Sequence, residues 1–250
     1  MNLQPTIFGR GTELEELRQR LCGGSSFLIH GSSGSGKTLL LRSATANMPK
    51  VLYCADSRTG HSVFHSLATE LHLRKNARIR RACGRWGDEA IKHKSVLVLR
   101  GLVLDALHDG RYCAVLDHLS ATSAGLAADV RDMMLWANTP VVVIARSEHM
   151  EDTGFLGSYF ALRSERMHIA PFTRNQAKIF AQKAITQLGL EASNKEELLN
   201  RIVELSRGLP GAIITLVRMS LLPKYRSGQY VKLSPLYIDY RLAWHAANAL

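Results

Sequence analysis

The stretch FLIHGSSGSGKTLLLRSATAN, Phe27 to Asn47, decides the reading of this chain. Phe27 to His30 is a short apolar run of strand type, and the residues from Lys37 to about Asn47 carry helical periodicity until Pro49 breaks it. Between them, GSSGSGKT at Gly31 to Thr38 matches G-x-x-x-x-G-K-[ST] in the strand–loop–helix context that gives the pattern its meaning. Glycines let such a loop turn its backbone N–H groups onto phosphate oxygens at the positive end of a helix. The expected phosphate-binding residues are Gly31, Ser32, Ser33, Gly34, Ser35, Gly36, Lys37, Thr38 and Leu39. Lys37 is placed to reach the β- and γ-phosphates, and the Thr38 hydroxyl to coordinate Mg2+. ATP or ADP with Mg2+ is the expected ligand; the bland alternative is an ordinary Gly/Ser turn.

Outward from the loop, apolar runs alternate with helical periods. A helix is expected over Glu13 to Leu21, a strand at Val51 to Ala55 and a helix at His61 to Leu73. A basic stretch runs to about Lys94, followed by a helix near Val96 to His108 and a strand at Tyr112 to Leu116. A helix at Val130 to Ala137 precedes Pro140 to Ala145, apolar on both faces as a central parallel strand is. Met167 to Ala170 is a weaker fifth strand. This alternation predicts an α/β fold, a P-loop NTPase parallel sheet flanked by helices, with ligand beyond the carboxyl ends of the strands.

Pro171 marks a change, because the segment from Thr173 to Leu222 carries helical periodicity throughout. The expected division is a nucleotide-binding domain over 1–171 and a small helical lid with a C-terminal tail over 172–250. Thr173 begins a helix to Leu188, Ser193 caps one over Glu196 to Ser206, and Leu209 starts a third that ends before Pro223. The Tyr-rich tail ending in AWHAANAL is a candidate last helix.

A P-loop enzyme needs a carboxylate at the end of a buried strand for its magnesium, and YCAVLDHLS offers Asp117. Thr38 and Asp117 are thus the expected metal ligands, although a carboxylate here can simply cap the following turn.

Several signatures together resemble the AAA+ superfamily and its STAND relatives, the signal-transduction NTPases, over roughly Ile7 to Leu222. IFGRGTE at Ile7 to Glu13 is similar to an N-terminal hhGRxxE element; the resemblance implies that Arg10 helps cradle the nucleotide. PVVVIARS at Pro140 to Ser147 resembles the sensor-1 strand of NB-ARC proteins, which makes Arg146 a contact to the γ-phosphate. SRGLPGAI at Ser206 to Ile213 resembles the GxP element of the lid, implying that Pro210 packs near the base. Large ATPase families commonly follow the strand-end aspartate with a glutamate that polarises water, and this chain has His118 there. A histidine is a weaker, pH-dependent base, so the resemblance implies slow hydrolysis by Lys37, Asp117, His118 and Arg146.

The 250 residues are 46% hydrophobic and 21% charged, and no apolar run approaches the ~20 residues of a membrane span. Without a recognisable secretory leader the expected compartment is the cytoplasm. Cys22, Cys54, Cys83 and Cys113 are too scattered for a zinc site or disulfide scaffold and read as reduced, mostly buried thiols. His61 and His65 stand four apart without the Glu of HExxH and read as surface residues.

The formal charge of +11 makes a polyanionic partner an option. Its densest source is Arg74, Lys75, Arg78, Arg80, Arg81 and Arg85, ending at Trp86: a phosphate-backbone grip with a stacking group, or a solvated mobile loop. Arg163 and Arg166 are guesses for an arginine finger acting on a neighbouring subunit. The leading expectation is an ATP-dependent switch or assembly regulator with a protein partner or as a homo-oligomer. A DNA-binding ATPase of origin-recognition or transposition type is the alternative, and a P-loop small-molecule kinase the third reading.

Overall fold

The structure, a computed structural model, describes residues 8–84, 87–119 and 121–248. Ile7, Arg85 and Trp86, on which parts of the reading above fall, lie outside them. The described chain divides into two compact units. One holds the residues up to Gly31 together with Lys37–Ile169; the other holds Ser32–Gly36 and the chain from Ala170 onward.

The first unit is built on five parallel strands, β1 (Phe27–His30), β2 (Val51–Cys54), β3 (Cys113–Leu116), β4 (Val141–Ala145) and β5 (Arg166–His168), in the order β2-β3-β4-β1-β5. Side chains alternate between faces along each strand, which sorts the core into two layers. On one face Phe27, Ile29, Val115, Val142 and Ile144 pack with α1 (Gly11–Cys22) and α2 (Lys37–Thr45) through Leu17, Leu40, Leu41 and Ala44. On the other, Leu28, Leu52, Ala114, Leu116 and Val143 meet α3 (Gly60–Leu73), α6 (Val96–Gly110) and α7 (Ala124–Leu135). Because β4 is covered on both sides, all five of its residues are buried, as its uniform apolarity requires. A single short turn of helix, α8 (Met150–Thr153), follows it.

The described part of the basic stretch is largely helical. It forms α4 (Ala77–Cys83) and α5 (Gly87–Lys92). The Asn76 side chain caps α4 by accepting from the Arg78 and Ile79 N–H groups, and Ile79, Cys83 and Ile91 are buried in the core. Those few apolar anchors are what the dense charge hides in the sequence. Likewise α7 begins at Ala124, capped by Ser123, six residues before the apolar period becomes visible.

In the second unit, α9 (Arg174–Gln187), α10 (Lys195–Ser206), α11 (Pro210–Ser220) and α12 (Leu233–Asn248) accompany a hairpin of β6 (Arg226–Ser227) and β7 (Tyr230–Val231). Thr173 caps α9 in a reciprocal box with Gln176. Ser193 does not cap α10: its N–H donates to Gln229 in the hairpin, and Asn194 stands at the cap position. The Asn194 amide is instead bound on both sides to the Val231 backbone, at 3.0 Å each way, a tertiary use that no local pattern announces. Among the described residues, no helix is long and apolar enough to cross a membrane.

Candidate functional site

The strand order puts three loops at neighbouring carboxyl ends. The P-loop follows β1, Arg146 follows β4, and Asp117 follows β3, with β4 lying between β3 and β1. The Gly31 N–H donates to the Arg146 carbonyl at 3.3 Å, tying the first two loops together, and the Asp117 N–H continues the ladder onto Cys54 at 3.0 Å.

Lys37 and Thr38 open α2. The Lys37 ammonium donates to the Gly31 carbonyl, folding back across the loop it belongs to. Burial lowers the Lys37 pKa, with Arg146 acting in the same direction and Asp117 and Asp152 opposing. Thr38 Oγ1 donates to Asp117 Oδ2 at 2.8 Å, across 79 positions of sequence. Asp117 is 2% exposed, and its carboxylate is held from three directions. Oδ2 accepts from Thr38 and from the Tyr53 hydroxyl, and Oδ1 accepts from the His118 N–H at 2.8 Å. A buried carboxylate beside a threonine hydroxyl at a P-loop is a hard-oxygen donor pair, the chemistry that a magnesium-type cation takes.

The tip of the loop, Ser32–Gly36, packs within the helical unit. Gly34 and Gly36 adopt φ of +79° and +95°, where a side chain is strained. The Gly34 carbonyl accepts from the Gly211 N–H at 2.9 Å, and a Cβ on Gly211 would lie 3.0 Å from the Gly34 Cα. Two glycines therefore meet backbone to backbone. Pro210, the first residue of α11, sets up that approach: its fixed φ suits a helix start, and the next N–H is free of any intrahelical carbonyl. Ser35 is buried, Ser32 and Ser33 are exposed, and Leu39 is exposed on the outside of α2.

Arg10 is buried at the cap position of α1 and ion-paired to Glu13 at 2.7 Å, as the two matched residues of the N-terminal element. His118 follows Asp117 with φ of +55°, its ring largely exposed and Nε2 3.9 Å from Asp117 Oδ2. Arg146 has an exposed side chain. Arg166 donates to the Phe160 carbonyl at 2.6 Å and to Glu148 at 2.7 Å, internal partners that a finger reaching a neighbour would have to leave. Arg163 is exposed on a short 3-10 turn.

The described basic residues differ in their partners. Arg74 is bound to Glu70 and to the Pro49 and Val51 carbonyls, while Arg78 bridges Asp105 at 3.1 Å and Asp109 at 2.7 Å. Lys75, Arg80 and Arg81 remain exposed. Tyr53 and Gly211 escaped the sequence reading. Tyr53 looks like one more alternating residue of a buried strand, and only the pairing of β2 with β3, which sets Tyr53 beside Val115, shows what its hydroxyl meets.

A five-stranded parallel sheet with a phosphate-binding loop after β1 and a buried aspartate after β3 defines a P-loop NTPase, with the sheet order and flanking helices of an ATPase. Residues 6–144, more than half of the chain, match the family described as AAA ATPase domain, and the chain belongs to that family of nucleotide-binding ATPases. Among solved structures the fold is similar to that of the Walker-type ATPase of Pyrococcus abyssi, with TM-score 0.64 and 15% identity over 97% of this chain and 75% of that one. The Pif1 helicase from Candida albicans aligns at TM-score 0.41 and 14% identity over 81% of this chain and 48% of its own, too distant to bear on fold or function. No curated protein matches the sequence.

Proposed function

We propose that this ATPase is a nucleotide-dependent switch that binds Mg-ATP and hydrolyses it slowly. In this reading the loop amides and Lys37 hold the β- and γ-phosphates, Thr38 and Asp117 hold the cation, Arg146 senses the γ-phosphate, and Arg10 lines the nucleotide. The cation would supply charge neutralisation at the phosphates; the chain's own part is to orient them and exclude water. One observation carries the proposal: Thr38 Oγ1 and the buried Asp117 carboxylate converge at 2.8 Å beside Lys37. Slow turnover follows from His118, an exposed imidazole where an anionic base is needed. The switch element is the Gly34–Gly211 contact, which joins the phosphate-binding loop to the start of α11 next to Pro210. We assign residues 1–171 to nucleotide binding and 172–250 to the lid that reports it, to a protein partner or a second copy of the chain.

Calorimetry with Mg-ATP tests the assignment: Lys37→Ala should lose most affinity while melting at the wild-type temperature within a few degrees. Undiminished binding by that variant would sink it. DNA binding is the second reading, favoured by the exposed trio Lys75, Arg80 and Arg81 on and beside α4. Anisotropy with duplex DNA at two salt concentrations, with ADP and with a non-hydrolysable ATP analogue, separates the two.

A further inference from the structure

Tyr53 lies within β2, an edge strand of the sheet, with no place in the P-loop pattern. Its register partner is Val115, so its side chain falls on the face of the sheet that carries α1 and α2. That is the face on which Thr38 and Arg42, one helical turn apart on α2, project toward the strands. Arg42 lies over the Tyr53 ring at 5.4 Å from the centroid, and the hydroxyl at the far end of the ring donates to Asp117 Oδ2. The ring is thus clamped by a cation on its face while its polar end reaches the carboxylate.

The geometry points to Tyr53 as the positioning residue for the metal-binding aspartate, an inference that rests on the nucleotide reading above. Among the described residues, Asp117 Oδ2 accepts from Thr38 and from Tyr53. The Thr38 hydroxyl would hold the cation through an oxygen lone pair and keep its hydrogen for Oδ2, but its position then follows the cation, whereas the Tyr53 hydroxyl is anchored by the protein alone. Among the described residues Tyr53 is thus the donor to Oδ2 that takes no part in holding the cation, and the His118 N–H is on Oδ1. A carboxylate pinned on both oxygens keeps one orientation, and a fixed orientation is what a small cation with strict octahedral demands rewards. Tyrosine suits the task because its hydroxyl is a neutral donor: it orients the carboxylate without cancelling the charge that attracts the metal.

The test is Tyr53→Phe, which keeps the ring, its packing and the Arg42 contact, and removes one oxygen. A fluorescent ATP analogue is titrated first without divalent cation, and then Mg2+ is titrated at fixed nucleotide. Wild type and variant should bind the metal-free nucleotide alike, while the Mg2+ concentration at half-saturation rises about ten- to a hundredfold in the variant, the range seen when an outer-shell partner of a metal ligand is removed. Thermal melting without nucleotide should change little, whereas the extra stabilisation from Mg2+ plus nucleotide should shrink. Equal half-saturation in the two proteins overturns the proposal. So does a parallel loss of metal-free binding, which would mean that Tyr53 only supports the fold. Absence of nucleotide binding by the wild type would instead overturn the nucleotide reading itself.

Discussion

Replacing Gly211 by alanine sets two calculable effects against each other. Gly211 is the second residue of α11, where alanine is intrinsically the better helix former by up to about 1 kcal/mol. Against that, the new Cβ would stand 3.0 Å from the Gly34 Cα and 3.2 Å from the Gly34 oxygen. Both are backbone atoms, so no side chain can rotate out of the way, and the loop must retreat by a few tenths of an ångström. The Gly211 N–H to Gly34 bond, 2.9 Å, is stretched or broken, at about 0.5–1.5 kcal/mol. The two effects nearly cancel in the fold, so the melting temperature should move by less than about 4 °C. They do not cancel at the phosphates, because the displaced residue belongs to the loop whose amides must converge on them. Mg-ATP affinity should fall about tenfold, or about 1.4 kcal/mol. Titration calorimetry and scanning calorimetry on the same samples measure the two quantities. Gly101→Ala is the control, since Gly101 lies within α6 and a Cβ there meets nothing within 4 Å. Unchanged affinity in Gly211→Ala, or an equal drop in Gly101→Ala, would refute the reasoning.

His118→Glu should raise steady-state phosphate release by about tenfold with Mg-ATP affinity held within about twofold, because it restores an anionic base at a position whose side chain is largely exposed; no rise would place the missing group on a partner. If DNA is bound, Arg80→Glu with Arg81→Glu should lower the salt slope by roughly 0.9 for each DNA phosphate that the variant no longer neutralises, and leave ATP binding intact; Arg78 is the wrong residue to reverse, since a glutamate there would face Asp105 and Asp109. Alkylation of the folded protein at mildly alkaline pH should modify Cys22 alone, because it is exposed, whereas burial raises the thiol pKa of Cys54 and Cys83 and pushes that of Cys113 up to about 12, far above the pH at which a reactive thiolate would form. Mass spectrometry of the labelled peptides reads the result, and early labelling of Cys113 would contradict its burial.

The sequence by itself determined what is local and periodic. GSSGSGKT between an apolar run and a helical period reads as a strand, a tight turn and a helix start, and the structure places β1 and the first residue of α2 where the pattern does. The uniform apolarity of Val141–Ala145 likewise specified a strand covered on both sides, and Thr173 specified a helix start. Local signals failed where a residue's partner is distant in the chain. Ile79, Cys83 and Ile91 look incidental among cations until they are seen buried in the core, and Asn194 serves a hairpin 37 residues away. The pairing of Arg78 with Asp105 and Asp109 on α6 and the bonds of Arg74 to the Pro49 and Val51 carbonyls belong to the same class, because such distant partners leave no trace in composition. The site divides in the same way. Lys37, Thr38 and Asp117 were legible because loop chemistry and strand ends have fixed spacings, but that Tyr53 shares Asp117 with Thr38, and that Gly211 meets Gly34, were settled by strand register and by the close approach of two backbones. Meetings of that kind depend on three-dimensional distance, which the order of residues along a chain does not encode locally.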